Sequence, residues 1–282
     1  MKLVRFGAPG AEKPGIIDAN GVVRDLSQHV TDITGDTLAP ASLDKLRQLD
    51  PRALPAAPAG VRLGPPVGRV ANFIAVGLNY IDHAKETGAE IPKEPILFNK
   101  LPNCIVGPND DVMIPKGSLK LDYEVEIAFV IGRRARYVPE SEALSYIAGY
   151  TICNDVSERN FQAERGGQWM KGKCAETFGP LGPWLVTRDD IKNVNALAMT
   201  LDVNGERRQT GNTETMIFGI QHLMHYISQF MVLEPGDVVT TGTPPGVALG
   251  MKPPKWLKAG DVMTLKIEGL GEQRQRIVAF KE

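Results

Sequence analysis

Apolar and polar positions alternate with period two over much of the chain, and strands present successive side chains to opposite faces. Asp261-Val262-Met263-Thr264-Leu265-Lys266-Ile267-Glu268 alternates cleanly and predicts a half-buried strand. Gly15-Ile16-Ile17-Asp18-Ala19-Asn20-Gly21-Val22-Val23-Arg24 and Leu201-Asp202-Val203-Asn204-Gly205-Glu206-Arg207-Arg208 each contain Asn-Gly, a hairpin-turn signal. Helical spacing is rarer. Residues 41–47 read as a short helix. Residues 215–230 read as a longer amphipathic one, with Met216, Ile217, Ile220, Leu223, Met224 and Ile227 as its apolar positions. The Pro-, Ala- and Gly-rich stretch from Leu54 to Gly68 reads as an extended connector. It separates a small β-rich module, residues 1–66, from a larger unit, residues 67–282. Strands outnumber helices and do not alternate with them regularly, which predicts an α+β fold rather than a doubly wound one.

One strand-like run breaks its own pattern. In Leu121-Asp122-Tyr123-Glu124-Val125-Glu126-Ile127-Ala128-Phe129-Val130-Ile131, Glu124 and Glu126 fall on one face of an otherwise apolar, β-forming segment. Two carboxylates so placed repel each other and resist desolvation unless a cation lies between them. The alternative is the wet face of an edge strand, neutralised by a neighbouring Lys or Arg. A second β-rich run, residues 148–157, brings Asp155 near its end. Three carboxylates would make an all-oxygen site for a hard ion, Mg²⁺, Mn²⁺ or Ca²⁺, rather than Zn²⁺.

Composition narrows the function classes. The chain has 282 residues, 43% of them hydrophobic and 23% charged, with a formal net charge of −1. That balance gives no electrostatic case for nucleic acid or an anionic membrane. The N-terminus lacks a signal-peptide apolar stretch, and no apolar segment approaches the roughly 20 residues a bilayer span needs. Cys104, Cys153 and Cys174 are widely spaced and odd in number, as expected of reduced thiols in a cytoplasm. The expectation is a cytoplasmic protein acting on a small molecule.

Further chemistry concentrates in three segments. In Asn79-Tyr80-Ile81-Asp82-His83-Ala84-Lys85-Glu86-Thr87-Gly88, Asn79 suits an N-cap and Gly88 a C-terminal stop. His83 and Glu86 would share a face of that short helix, and a carboxylate beside an imidazole orients it as a general base requires. The bland alternative is a surface His with a solvated Glu. Lys171 and Lys173 lie in a Gly-punctuated stretch that either holds an anion or is a solvated loop. Residues 240–247, Thr-Thr-Gly-Thr-Pro-Pro-Gly-Val, either offer donors to a carboxylate or form a plain turn. No Walker loop, Gly-x-Ser-x-Gly elbow, His-Glu-x-x-His motif or Gly-x-Gly-x-x-Gly fingerprint is present. His222 and His225 have no third ligand nearby in sequence.

Taken together, these segments resemble the fumarylacetoacetate hydrolase family over roughly residues 70–282. The resemblance is carried by Gly77-Leu78-Asn79-Tyr80 with His83 and Glu86, by Leu97-Phe98-Asn99-Lys100, and by Asp122-Tyr123-Glu124-Val125-Glu126. It continues through Asn154-Asp155-Val156-Ser157, Lys171-Gly172-Lys173, and Leu233-Glu234-Pro235-Gly236-Asp237 to Gly242-Thr243-Pro244-Pro245-Gly246-Val247. It implies a mixed-sheet, β-roll catalytic domain with short helices behind a small N-terminal domain, assembled as a homodimer. It implies Mg²⁺ or Mn²⁺ on Glu124, Glu126 and Asp155, a water-activating His83–Glu86 dyad, and Lys173 on the substrate or its enolate. Arg159, Gln162, Thr243 and Tyr80 would contact substrate. The implied reaction is C–C hydrolysis of an acylpyruvate, a 2,4-dioxo acid such as 2,4-dioxo-3-deoxy-fuconate or -rhamnonate, to pyruvate and a carboxylic acid. Oxaloacetate decarboxylation, isomerisation and hydration share the same site plan. Cys174 departs from the family's usual serine after this lysine, which bears on substrate contacts and not on the metal ligands.

Overall fold

The computed structural model describes residues 1–282, the side chain of Thr87 excepted. Its largest layer is a ten-stranded sheet. Across the sheet the order is Val23–Asp25, Lys13–Ile17, Lys2–Phe6, Gly179–Thr187, Ile147–Asn154, Val125–Ile131, Val238–Thr240, Phe73–Gly77 and Ile96–Lys100, with Ile105–Val106 alongside Gly179–Thr187. Most neighbours are antiparallel, but Val238–Thr240 runs parallel to Phe73–Gly77. A five-stranded sheet, Glu206–Asn212, Ala198–Val203, Val262–Ile267, Gly271–Val278 and Val112–Met113, packs against the central strands. With short helices and mixed sheets, the molecule is α+β, as its pattern predicts.

The two sheets share one apolar cluster, and a few buried amides sew them together. Gln273 donates to the carbonyls of Ile152 and Gly182, Gln209 accepts from the Val125 amide, and Asn154 donates to Gln275. Buried backbone groups must find partners, and these side chains supply them where the ladder is irregular. The N-terminal strands are continuous with the main layer: Lys2–Phe6 pairs antiparallel with Gly179–Thr187, and Leu3, Ile16 and Leu26 join the common core. Both Asn-Gly turns form. At Asn204-Gly205 both residues have positive φ, 53° and 78°, as a tight two-residue hairpin requires.

Three local expectations change. The run from Leu121 to Ile131 is two strands, Leu121–Asp122 and Val125–Ile131, because the Glu124 amide turns to Asn154 Oδ1 instead of continuing the ladder. The amphipathic stretch is helical only over Ile220–Ser228, after a short turn at Thr213–Thr215. Met216 bridges to Tyr80, and the Phe218 amide and carbonyl bond the Asn79 side chain, holding the intervening segment extended. Asn79 is accordingly not an N-cap. Tyr80 occupies that position before the helix Ile81–Thr87, and Gly88 ends it in the left-handed region at φ 68°. Among the described residues, no helix is long and apolar enough to cross a membrane.

Candidate active site

The register of the central sheet builds the acidic cluster. Asn154 pairs with Val125 and Cys153 with Glu126, so the turn after Ile147–Asn154 sets Asp155 beside Glu124, its amide donating to the Glu124 carbonyl at 2.9 Å. On the other flank Val238–Thr240 brings Thr240 and Gly242 to Glu126. Glu124, Glu126 and Asp155 each offer one oxygen, all within 4.8 Å of one another, and all three residues are buried. The strand carrying Glu126 is interior to the sheet and buried at every residue, which removes the wet-edge alternative.

Each carboxylate is held differently. Glu124 accepts from Arg159 at 2.5 Å and from Lys173 at 2.6 Å. Burial alone would raise its pKa, but the two cations outweigh burial and hold it at about 2. Asp155 Oδ2 accepts from Lys173 at 2.7 Å. Lys100 Nζ lies 2.7 Å from Asp155 Oδ1 without a regular hydrogen bond to it, so that oxygen has a counter-charge alone. Glu126 is 1% exposed and makes no salt bridge among the described residues; its Oε2 accepts from Thr240 Oγ1 and the Gly242 amide. Burial first, then Asp155 and Glu124, push its pKa well up. A carboxylate in that position calls for a proton or a cation. The donor set, three buried carboxylates with an undonated Asp155 oxygen, fits a hard divalent ion.

Backbone shape fixes these contacts. Gly242, at φ 91°, turns its amide onto Glu126, and a Cβ there would sit 2.9 Å from Asn79 Cβ. Leu78 is also left-handed, at φ 50°, in the link between Phe73–Gly77 and the His83 helix. Such a conformation costs a non-glycine residue roughly 1–2 kcal/mol.

The three carboxylates open into a cavity of about 270 Å³, close to the lower end of the roughly 300–1,000 Å³ usual for small-molecule sites. His83, Arg159, Gln162, Lys173 and Thr243 also line it. His83 Nδ1 is 3.0 Å from Glu86 Oε2, and the other Glu86 oxygen accepts from the Gly246 amide at 2.9 Å. The dyad is therefore an anchored pair, with His83 buried and Glu86 half-buried, and not a solvated surface contact. Arg159 uses its guanidinium on Asp122, Gln162 and Glu124. Three of its five N–H donors are thus engaged, which leaves one on each terminal nitrogen.

Two expected substrate contacts are placed otherwise. Tyr80 is fully buried behind the cavity, its hydroxyl donating to Met199 Sδ at 3.2 Å, so its large ring serves packing. Thr243 reaches the cavity wall, but its hydroxyl donates to the Val125 carbonyl and accepts from Gln209, a structural engagement on both sides. His222 and His225 lie on Ile220–Ser228, His222 stacked on Phe218 and Tyr226 and tilted against His225, and neither lines the cavity. Other residues emerge only in three dimensions. Lys100 ends a strand one side-chain step beyond Phe98, so alternation puts both on one face, yet nothing local marks it as buried. Asp122 ties Arg159 to the Ala248 and Leu249 amides, a link made across more than a hundred residues.

Comparison with known proteins bears on the family and the fold. The family profile described as fumarylacetoacetate (FAA) hydrolase C-terminal matches residues 72–278. A Burkholderia multivorans protein whose name goes no further than hydrolase is 57% identical over 276 residues, 98% of each chain. The solved fumarylacetoacetate hydrolase of Exiguobacterium antarcticum is 35% identical, covers 99% of this chain and 100% of its own, and superposes with a TM-score of 0.88. The maleylpyruvate hydrolase of Sphingobium sp. SYK-6, solved with manganese(II) and pyruvate, is 26% identical over the whole of both chains with a TM-score of 0.83. The chain belongs to the fumarylacetoacetate hydrolase family.

Proposed function

We propose that this protein is a Mg²⁺- or Mn²⁺-dependent hydrolase that cleaves the C–C bond of an acylpyruvate-type 2,4-dioxo acid into pyruvate and a carboxylic acid. Family membership and the hydrolase relatives make it a hydrolase-type enzyme; the bond and substrate are our reading. The observation that carries it is a carboxylate-oriented histidine, His83 on Glu86, facing the same cavity as three clustered carboxylates. Glu124, Glu126 and Asp155 would hold the ion, whose chemistry is Lewis-acid polarisation of the 2-oxo acid.

The chain's own residues divide the remaining work. With its Nδ1–H donated to Glu86, His83 has Nε2 as the basic nitrogen, which takes a proton from water as the water attacks the distal C4 carbonyl. The C3–C4 bond then breaks, its electron pair passing to the pyruvate enolate. Lys173 lies beside that end of the site and offsets the developing negative charge. A proton returned to C3 completes pyruvate. The two remaining Arg159 N–H groups and the Gln162 amide nitrogen suit the substrate carboxylate. We place this activity in a cytoplasmic homodimer, as the family resemblance implies.

The test is pyruvate release from an acylpyruvate, followed with and without EDTA and in His83→Ala. Loss of hydrolysis in both arms is expected. Hydrolysis that survives His83→Ala would overturn the base assignment. Decarboxylation of oxaloacetate retained by that variant would favour the second activity of the site plan, which needs no activated water.

A further inference from the structure

The cavity lining combines two chemistries. Its polar members include the carboxylate cluster, Glu124, Glu126 and Asp155, and the cations bonded to it, Arg159 and Lys173. Its large apolar members are Trp169, Phe98, Leu78, Val76 and Leu249, of which Val76 adjoins Gly242 beside Glu126. Trp169 and Phe98 meet edge to face, centroids 5.3 Å apart and planes at 66°, an arrangement that fixes both rings. Phe98 sits at the seam, with Lys173 Nζ 5.4 Å from its ring centre. The close approach of Trp169 depends on Gly77, where a Cβ would lie 2.2 Å from the indole. Leu249, 47% exposed, stands on the loop whose amides Asp122 holds.

The cations of the lining are already committed. Among the described residues lining the cavity, the fixed cations are Arg159 and Lys173, and both are bonded to carboxylates of the cluster. Glu164, paired with Lys120, is a further carboxylate of the lining. Nearby surface cations are engaged elsewhere: Lys171 donates to the Arg165 carbonyl at 2.7 Å, Arg165 stacks on Phe161, and Lys120 pairs with Glu164. A second carboxylate against Trp169 and Phe98 would lose its hydration and find no lining cation that is not already bonded to a carboxylate, and hydroxyls would lose water against aromatic carbon.

We propose that Trp169, Phe98, Leu78 and Leu249 form an apolar tail subsite that selects 2-oxo acids with one carboxylate and an apolar far end. This rests on the reading above that the carboxylate cluster holds the 2-oxo acid head. It sets the chain apart from the Sphingobium enzyme, whose name gives it a dicarboxylic substrate. It also narrows the acylpyruvate class away from the sugar acids that the sequence resemblance implies.

The test compares binding of 2-oxohexanoate and 2-oxohexanedioate, equal in length and head group, by calorimetry on the Mn²⁺-loaded protein. Binding reads the subsite whether or not either compound is turned over. The monoacid is expected to bind about tenfold tighter or more, in the range set by small changes of group in an apolar pocket. Trp169→Ala should shrink that ratio to about threefold or less, and Trp169→Arg should invert it by supplying the missing cation. Because Trp169 is only half-buried, neither change removes core packing. Equal binding of the two acids, or a preference for the diacid, overturns the tail subsite and leaves the head-group reading intact. A wild-type ratio that Trp169→Ala leaves unchanged overturns the assignment to this wall. If neither acid binds, the head-group reading fails and the tail subsite falls with it.

Discussion

Replacing Glu126 by glutamine separates the electrostatics of the site from its shape. The amide oxygen can keep the bonds from Thr240 and Gly242, so what is lost is the charge. Carboxylates no more than 4.8 Å apart repel by roughly 3 kcal/mol per pair at an effective dielectric of about 20. Glu126 faces two such neighbours, whose charges are already offset by Lys173, Arg159 and Lys100. Protonation of Glu126 further caps the penalty. Without divalent ion, Glu126→Gln should therefore be more stable than the wild type by about 1–3 kcal/mol. At about 2–4 °C per kcal/mol for a chain of this order, that is a melting point higher by several degrees. With Mn²⁺ at about a hundred times its dissociation constant, the wild type gains about 2.7 kcal/mol and the variant little. The two melting curves, recorded in EDTA and in Mn²⁺, should cross in order. A variant that gains as much from Mn²⁺ as the wild type would refute Glu126 as a ligand, and one destabilised in EDTA would refute the repulsion argument.

Other consequences are as direct. Lys173→Met removes the ammonium bridging Glu124 and Asp155 while Arg159 and Lys100 remain as counter-charges; the lost charged hydrogen bonds should cost about 1.5–3 kcal/mol in urea unfolding without metal, and a loss below about 1 kcal/mol would contradict the bridge. Asn79→Ala strips partners from the Phe218 amide and carbonyl and the Thr241 carbonyl, all within the fold; a loss of about 2–4 kcal/mol is expected by denaturant titration. Asp18 accepts from the Val22 and Asn20 amides and from Arg24, and the Val22 bond above all holds its pKa below 3.8. Its contribution is thus present above pH 3.8 and lost as pH falls through the lowered folded value. The melting-point gap between wild type and Asp18→Ala should close below that pH, and a gap that widens in acid would contradict this.

What the sequence made legible was whatever a short window could encode. The Glu124–Glu126 spacing survives a local break in the strand because Val125 still separates them, and the Asn204-Gly205 turn needs only its two positive φ values. The Lys173 and His83–Glu86 positions follow from motifs. By contrast, the 215–230 pattern is helical in spacing throughout, and tertiary bonds from Asn79 override its first turn. Tyr80 lies within a site motif, yet its size and the room beside Met199 carry it into the core. Lys100 and Trp169 were opaque for the same reason: their roles depend on partners, Asp155 and Gly77, that only folding brings beside them.

The strand Val238–Thr240 lies between Val125–Ile131 and Phe73–Gly77, although the chain reaches it only after more than two hundred residues. During synthesis the two flanking strands must wait with unsatisfied edges, and the Glu126 carboxylate with water in place of Thr240 and Gly242. Insertion of this one late segment closes the sheet and completes the pocket in the same event. Non-local pairing of this kind is slow and leaves sticky edges open meanwhile. A nascent chain stalled before Val238 is thus a species for chaperones to shield, and the pocket cannot be complete until the segment from Val238 onward has left the ribosome.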